Sequence, residues 1–303
     1  MEEKAYLSPE RADAAHEAIP IGIIPPFGEI VTAEMRRKRF PHEKKRTKLT
    51  MESMWSDLEQ GCMMMCRTSS IGDDGRVDPT PTGMVVKKNP DRTLSGKMRM
   101  ISDLRGVNIT TNSRRMYRMT APTIQKLRGE IERLKRAFPG AHIKMTKRDI
   151  SRAFKWLLLR PDMASVLMRE FENEASSTSA DFYASFLALP FGFVGSPGYF
   201  CMLTDIVQAM RRSFAPSDQT WNSNFPYEAE MFVIDAMFIE PDIGSRLVES
   251  VSGWKWACVL MLGEESLGRT KLDIEGTWES RQPMIGFGRD TEAFAISLPQ
   301  AKN

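Results

Sequence analysis

Long apolar runs are missing from this chain of 303 residues. Nowhere do about eighteen apolar residues follow one another, so neither a membrane-spanning helix nor a membrane partner is expected. The opening Met1-Glu-Glu-Lys has no basic-then-apolar leader, which speaks against a secretory signal and makes an intracellular protein, nuclear or cytoplasmic, the expectation. Cysteine is scarce as well. Cys62 and Cys66 flank three methionines without a histidine nearby, and Cys201 and Cys258 stand apart, so the spacing does not suit zinc ligation. Internal repeats are absent too. What is present is the composition of a soluble globular protein, 42% hydrophobic and 27% charged, long enough for one large or two medium domains.

The net charge of +3 conceals an uneven distribution. Between Lys87 and Arg160 there are 20 Lys/Arg against 5 Asp/Glu, a surplus of about +15, and Arg36 to Lys48 forms a second basic cluster. The remainder is net acidic. A surplus of this kind gives one face a positive field, the footprint of a polyanion partner. The shorter cluster reads equally as a solvated surface or a nuclear-import tag. The longer one carries more weight because it coincides with the motifs below.

Residues 1–49 read as a basic, partly disordered leader, since Ile-Pro-Ile-Gly-Ile-Ile-Pro-Pro-Phe-Gly cannot be continuous helix. A helix is expected near Thr50 to Cys66. Met84 to Lys88 and Lys97 to Leu104 read as strands joined by a polar turn from Asn89 to Gly96. Ile124, Leu127, Ile131, Leu134 and Phe138 step by three and four up to Pro139-Gly140, an amphipathic helix with its stop. Ile143 to Thr146 reads as a strand delivering Asp149 just past its end. Glu172 to Ala180 is a loop, followed by a strand from Phe182 to Leu189, a loop from Phe214 to Pro226 and a hairpin from Met231 to Phe238. Arg246 to Leu262 is expected to be helical in part. Met284 to Phe287 with Ala293 to Ser297 suggests a closing hairpin. That order implies an α+β fold.

Between Leu189 and Phe200 the chain reads Leu-Pro-Phe-Gly-Phe-Val-Gly-Ser-Pro-Gly-Tyr-Phe, a rigid turn with backbone left bare. Pro190 and Pro197 fix φ, while the glycines permit conformations and approaches that a Cβ blocks. Tyr199, Phe200, Leu203, Ile206, Val207 and Met210 then recur at helical spacing, with Pro197 at the first turn. Such a surface suits a flat ligand, and equally an ordinary loop capping a core helix.

Order along the chain narrows the reading. Arg99-Met-Ile-Ser-Asp-Leu-Arg-Gly-Val-Asn108 precedes Lys147-Arg-Asp-Ile-Ser-Arg-Ala-Phe154, then the Leu-Pro-Phe-Gly block, then Phe232-Val-Ile-Asp-Ala-Met237, then Pro283-Met-Ile-Gly-Phe287. Over about residues 80 to 300 this series resembles the reverse transcriptase domain of retroelements, the RNA-directed DNA polymerases. The resemblance implies a right-hand polymerase fold: a palm with an antiparallel sheet packed on helices, plus a fingers subdomain. Fingers are expected at 50–112 and 157–188, palm at 113–156 and 189–290, and 291–303 as the start of a connection to a thumb that is largely absent.

It also implies a chemistry. Template-directed nucleotidyl transfer uses two Mg²⁺ ions (or Mn²⁺) about 3.5–4 Å apart, held by clustered carboxylates. Asp149 and Asp235 fall on the family's metal-binding, catalytic positions, and Lys271 lies where a lysine can protonate pyrophosphate. Lys87 or Lys88 and Arg99 match residues gripping the incoming triphosphate. Phe154 matches the aromatic gate favouring deoxynucleotides, Phe191 and Gly192 the floor under nucleotide and template, and Met284 and Gly286 the primer grip. The implied partners are an RNA template, a DNA primer and deoxynucleoside triphosphates. One position departs from the pattern: where the family has an aromatic, any residue and two aspartates, this chain has Phe232-Val233-Ile234-Asp235, so Ile234 replaces one metal-binding aspartate and catalysis is expected to be impaired. RNA-dependent RNA polymerases share the palm, but Phe154 and the Leu-Pro-x-Gly block argue against them. From another class, a non-catalytic nucleic-acid-binding protein or an inactive retroelement remnant fits Ile234.

Overall fold

The computed structural model describes residues 47–67, 80, 82–88, 93–112, 114, 116–119, 121–160, 166–171, 182–214, 226–232, 235–267, 276–284 and 287–297. In chain order these form α1 (Thr47–Glu59), β1 (Met63–Arg67), β2 (Thr82–Lys88), β3 (Leu94–Ser102), α2 (Arg105–Thr110), α3 (Ile124–Ala137) and β4 (Ile143–Asp149). A short 3-10 turn, Ala153–Trp156, leads to β5 (Met168–Phe171), β6 (Phe182–Phe186) and α4 (Ser196–Ser213). Then come β7 (Glu228–Phe232), β8 (Asp235–Pro241), α5 (Arg246–Leu262), β9 (Arg281–Met284), β10 (Phe287–Asp290) and β11 (Ala295–Ser297). The protein is therefore α+β, and among the described residues every strand pair is antiparallel. Among the described residues no helix is long and apolar enough to cross a membrane.

The chain divides into two compact units. Among the described residues it crosses between them at Tyr117/Arg118, Ala153/Phe154 and Tyr199/Phe200. The unit holding Arg118–Ala153 and the residues from Phe200 onward is built on the sheet β4-β8-β7. Thr123 caps α3 by accepting from the Lys126 N–H at 3.1 Å, and its apolar stripe, Leu127, Ile131, Leu134 and Phe138, packs with Ile143, Met145, Met237 and Ile239 of the sheet. The opposite face of β8 is covered too: Phe238 meets Trp254 of α5 edge-on, with ring centroids 5.7 Å apart. Covered on both faces, β8 reads as a continuous apolar run rather than an alternation. A small sheet, β11-β10-β9, follows.

Buried charge ties this unit together. Glu240, at the far end of β8, is fully buried and accepts from Arg211 of α4 (2.8 Å), Arg246 of α5 (2.7 Å) and the Ser250 hydroxyl (3.0 Å). Burial pushes its carboxyl upward, opposed by the two guanidinium groups. Phe238 and Tyr227 place ring faces under Arg211, at 4.5 and 5.4 Å.

The second unit holds the sheet β1-β6-β5 and the hairpin β2-β3. Here the expected helix from Thr50 to Cys66 needs correcting. It ends at Glu59, because Gly61 takes φ +65°, the Gly61 N–H reaches Leu58 O (2.9 Å) and the Cys62 N–H reaches Asp57 O (2.8 Å). That Schellman stop frees Met63 to Arg67 to pair with β6 as a strand.

Candidate functional site

β4 and β8 pair from Ile143 opposite Pro241 to Asp149 opposite Asp235. Register partners in an antiparallel ladder have Cα atoms about 4.5–5.5 Å apart and side chains on one face. Two carboxylates far apart in sequence therefore stand side by side at one end of the sheet, Asp149 half-buried and Asp235 exposed. Like charges directly opposite one another destabilise a sheet, a cost that a shared cation would lower. The donors are hard oxygens of the kind Mg²⁺ or Mn²⁺ takes. Among the described residues no cluster of three or more Asp, Glu, His or Cys side chains is arranged to hold a metal. Ile234 lies outside the described residues, between Phe232 and Asp235, which are themselves register partners.

The backbone after Asp149 is held in an unusual shape. Ile150 bridges to Leu267, the Ser151 N–H donates to Ser266 O (2.8 Å), and Arg152 pairs with Glu265 (3.2 Å). Arg152 and Ala153 both adopt positive φ, +63° and +45°. Non-glycine residues rarely do so, each at a cost of about 1–3 kcal/mol, and such strain concentrates at functional sites. Arg148, the residue before Asp149, turns its guanidinium to Thr146 Oγ1 (2.7 Å) and Gly276 O (2.9 Å), and burial lowers its pKa.

In the other unit two of the motifs close on each other. Asn108, last residue of the first motif, donates through Nδ2 to Gly192 O (2.9 Å) and accepts the Val194 N–H on Oδ1 (2.9 Å). Asp103 and Arg105 of the same motif pair at 2.5 and 2.7 Å, which holds the Asp103 carboxyl below the usual carboxylate range. The Leu-Pro-Phe-Gly loop is further closed by Ser196 Oγ donating to Pro190 O (2.7 Å). Glycine is required twice in it: Gly192 has φ +100°, and a Cβ on Gly198 would come 2.0 Å from Tyr117 O. Phe154 and Phe191 meet with ring centroids 4.9 Å apart at 53°. Phe154 is buried, so Phe191, 47% exposed, is the aromatic surface of the pair.

The structure thus brings Asp149 to Asp235 in one unit, and Phe154 to Phe191 and Gly192 in the other. Lys87 and Lys88 lie on β2 and Arg99 on β3, where Arg99 pairs with Val85 and Lys88 with Leu94 across a register shift. Met284 ends β9, opposite Phe287. Lys271 and Gly286 lie outside the described residues. Part of the basic surplus is compensated locally: on α3, Arg128 and Arg136 pair with Glu132, and Arg133 with Glu130. The clamping role of Asn108 was missed by sequence reasoning although the residue stood in a recognised motif. Glu240 was missed as well; an acid ending the apolar run Ala236 to Ile239 was its only signal.

Fold and site together define an α+β protein with a facing carboxylate pair at one end of the β4-β8-β7 sheet. No protein-family model matches the chain, and no curated protein matches it significantly.

Proposed function

We propose that this chain is a reverse transcriptase-like polymerase domain. The unit around β4-β8-β7 serves as palm and the other as fingers, acting on an RNA template, a DNA primer and deoxynucleoside triphosphates. The observation that supports this reading is the register pairing of Asp149 with Asp235, two motif carboxylates that would hold a divalent cation. Bound Mg²⁺ would activate the primer hydroxyl and neutralise charge on the leaving pyrophosphate. Asp149 and Asp235 would hold it, the loop fixed by Asn108 would present Phe191 and bare backbone to a base, and the basic surplus would attract the phosphates.

Ile234 favours a second reading, nucleic-acid binding with little or no catalysis, because a carboxylate is missing where the resemblance places one. Primer extension on an RNA template with Mg²⁺ or Mn²⁺ separates the two, comparing the natural chain with Ile234→Asp and with Ile234→Asp/Asp149→Asn. The expected result is extension by Ile234→Asp alone. Salt-sensitive binding without extension by any version favours the binding-only reading. Extension that survives loss of Asp149 refutes the assigned site.

A further inference from the structure

A cleft unrelated to the carboxylate pair lies between α3 and the β10–β11 hairpin. Its volume is about 290 Å³, and Arg128, Ile131, Arg289, Phe294 and Ile296 line it. Arg289, in the middle of β10, is 2% exposed, yet among the described residues its Nε and Nη2 have no hydrogen-bond partner. Buried guanidinium groups are ordinarily paired, since a charge withdrawn from water without compensation is costly. Among the described residues that line the cleft the acidic one is Asp290, whose Oδ1 accepts the backbone N–H groups of Glu292 and Ala293 and so closes the turn.

A second observation concerns that turn. Phe294 has φ +54°, a conformation bulky residues avoid. Its ring, 39% exposed, lies under two cations, Arg128 at 5.4 Å and Lys135 at 5.2 Å. Arg128 is partly neutralised by Glu132. The cleft therefore combines a stranded cation at its base, an aromatic wall held in a strained pose, aliphatic sides from Ile131 and Ile296, and an excess of positive charge.

We propose that this cleft binds a small organic anion, an aromatic or apolar body carrying a carboxylate or phosphate, with the oxyanion on Arg289 and the body against Phe294. At about 30 Å³ per water-sized group, the space holds roughly ten non-hydrogen atoms, the size of a single ring with its acid group. Arg289 offers the planar fork that matches either oxyanion. This inference is independent of the polymerase reading.

The test is calorimetric titration of the full chain with phenyl phosphate, benzoate and inorganic phosphate, beside melting curves. At least one of the two aromatic anions is expected to bind, with inorganic phosphate about tenfold weaker or more, because it makes no apolar contact. Preference for phenyl phosphate assigns the natural ligand to phosphates, and preference for benzoate to carboxylates. Arg289→Met is expected to lose about tenfold or more in affinity while melting no lower than the natural chain, since it removes a stranded charge. Arg289→Lys, which keeps the charge but not the fork, should bind with intermediate affinity and carries the test if the methionine variant fails to fold. Absence of binding by both aromatic anions, or unchanged affinity in the Arg289 variants, overturns the proposal. So does a lower melting temperature in both variants without ligand, which would make Arg289 a structural residue.

Discussion

Replacing Glu240 by Gln should cost the β4-β8-β7 unit about 3–5 kcal/mol, the penalty for breaking a buried ion pair from one side. The structure sets that figure. Glu240 is wholly buried and receives three hydrogen bonds, two of them from guanidinium groups, and charge-assisted bonds contribute about 1.5–3 kcal/mol each. Its removal leaves Arg211, 0% exposed, and Arg246, 5% exposed, as like charges sharing one site. The ring faces of Phe238 and Tyr227 and the carbonyls of Ser250 and Pro226 offset only part of that cost. Urea unfolding followed by circular dichroism and by tryptophan emission, to which the buried Trp254 contributes, measures the change. If stranded charge is the cause, the triple variant Glu240→Met/Arg211→Met/Arg246→Leu should recover most of the loss, because apolar groups of similar volume replace buried ion pairs at little cost. A loss under about 1 kcal/mol in Glu240→Gln, or a triple variant as unstable as the single one, refutes the reasoning.

Gly198→Ala is expected to destabilise the protein by more than the ordinary range for surface changes, about 2 kcal/mol or more, because the new Cβ meets the Tyr117 carbonyl at 2.0 Å and backbone must shift; a melting temperature within a degree of the natural chain contradicts the close approach. Asp103 should titrate below the ordinary carboxylate range, since Arg105 stabilises its charged form. A depressed folded pKa gives stability that is present above the unfolded pKa and lost as pH falls through the folded one. Arg105→Ala should move the Asp103 midpoint, read by NMR, up to the ordinary range, and an unmoved midpoint removes the ion pair as the cause.

Local pattern made much of this architecture legible. The three-and-four stepping of Leu127, Ile131 and Leu134 gave α3, whose ends follow from the Thr123 cap and the Pro139-Gly140 stop. The Leu-Pro-Phe-Gly loop and α4 followed from proline and glycine chemistry, and a hairpin was expected at Met231 to Phe238, where β7 pairs with β8 but begins earlier, at Glu228. Met63 to Arg67 was misread because methionine-rich sequence continues a helix as readily as it forms a strand; the stop at Gly61 and the partner β6, more than a hundred residues on, decide the matter.

Sequence by itself determined which residues carry charge, which turns need glycine and the order of the motifs, because these depend on neighbours along the chain. Tertiary structure decided what faces what. It set Asp149 opposite Asp235, closed Asn108 on Gly192 and Val194, enclosed Glu240 between two arginines and left the buried Arg289 without a hydrogen-bond partner among the described residues. Register and burial are properties of segments distant in sequence, fixed by the packing of whole elements, and no local pattern contains them.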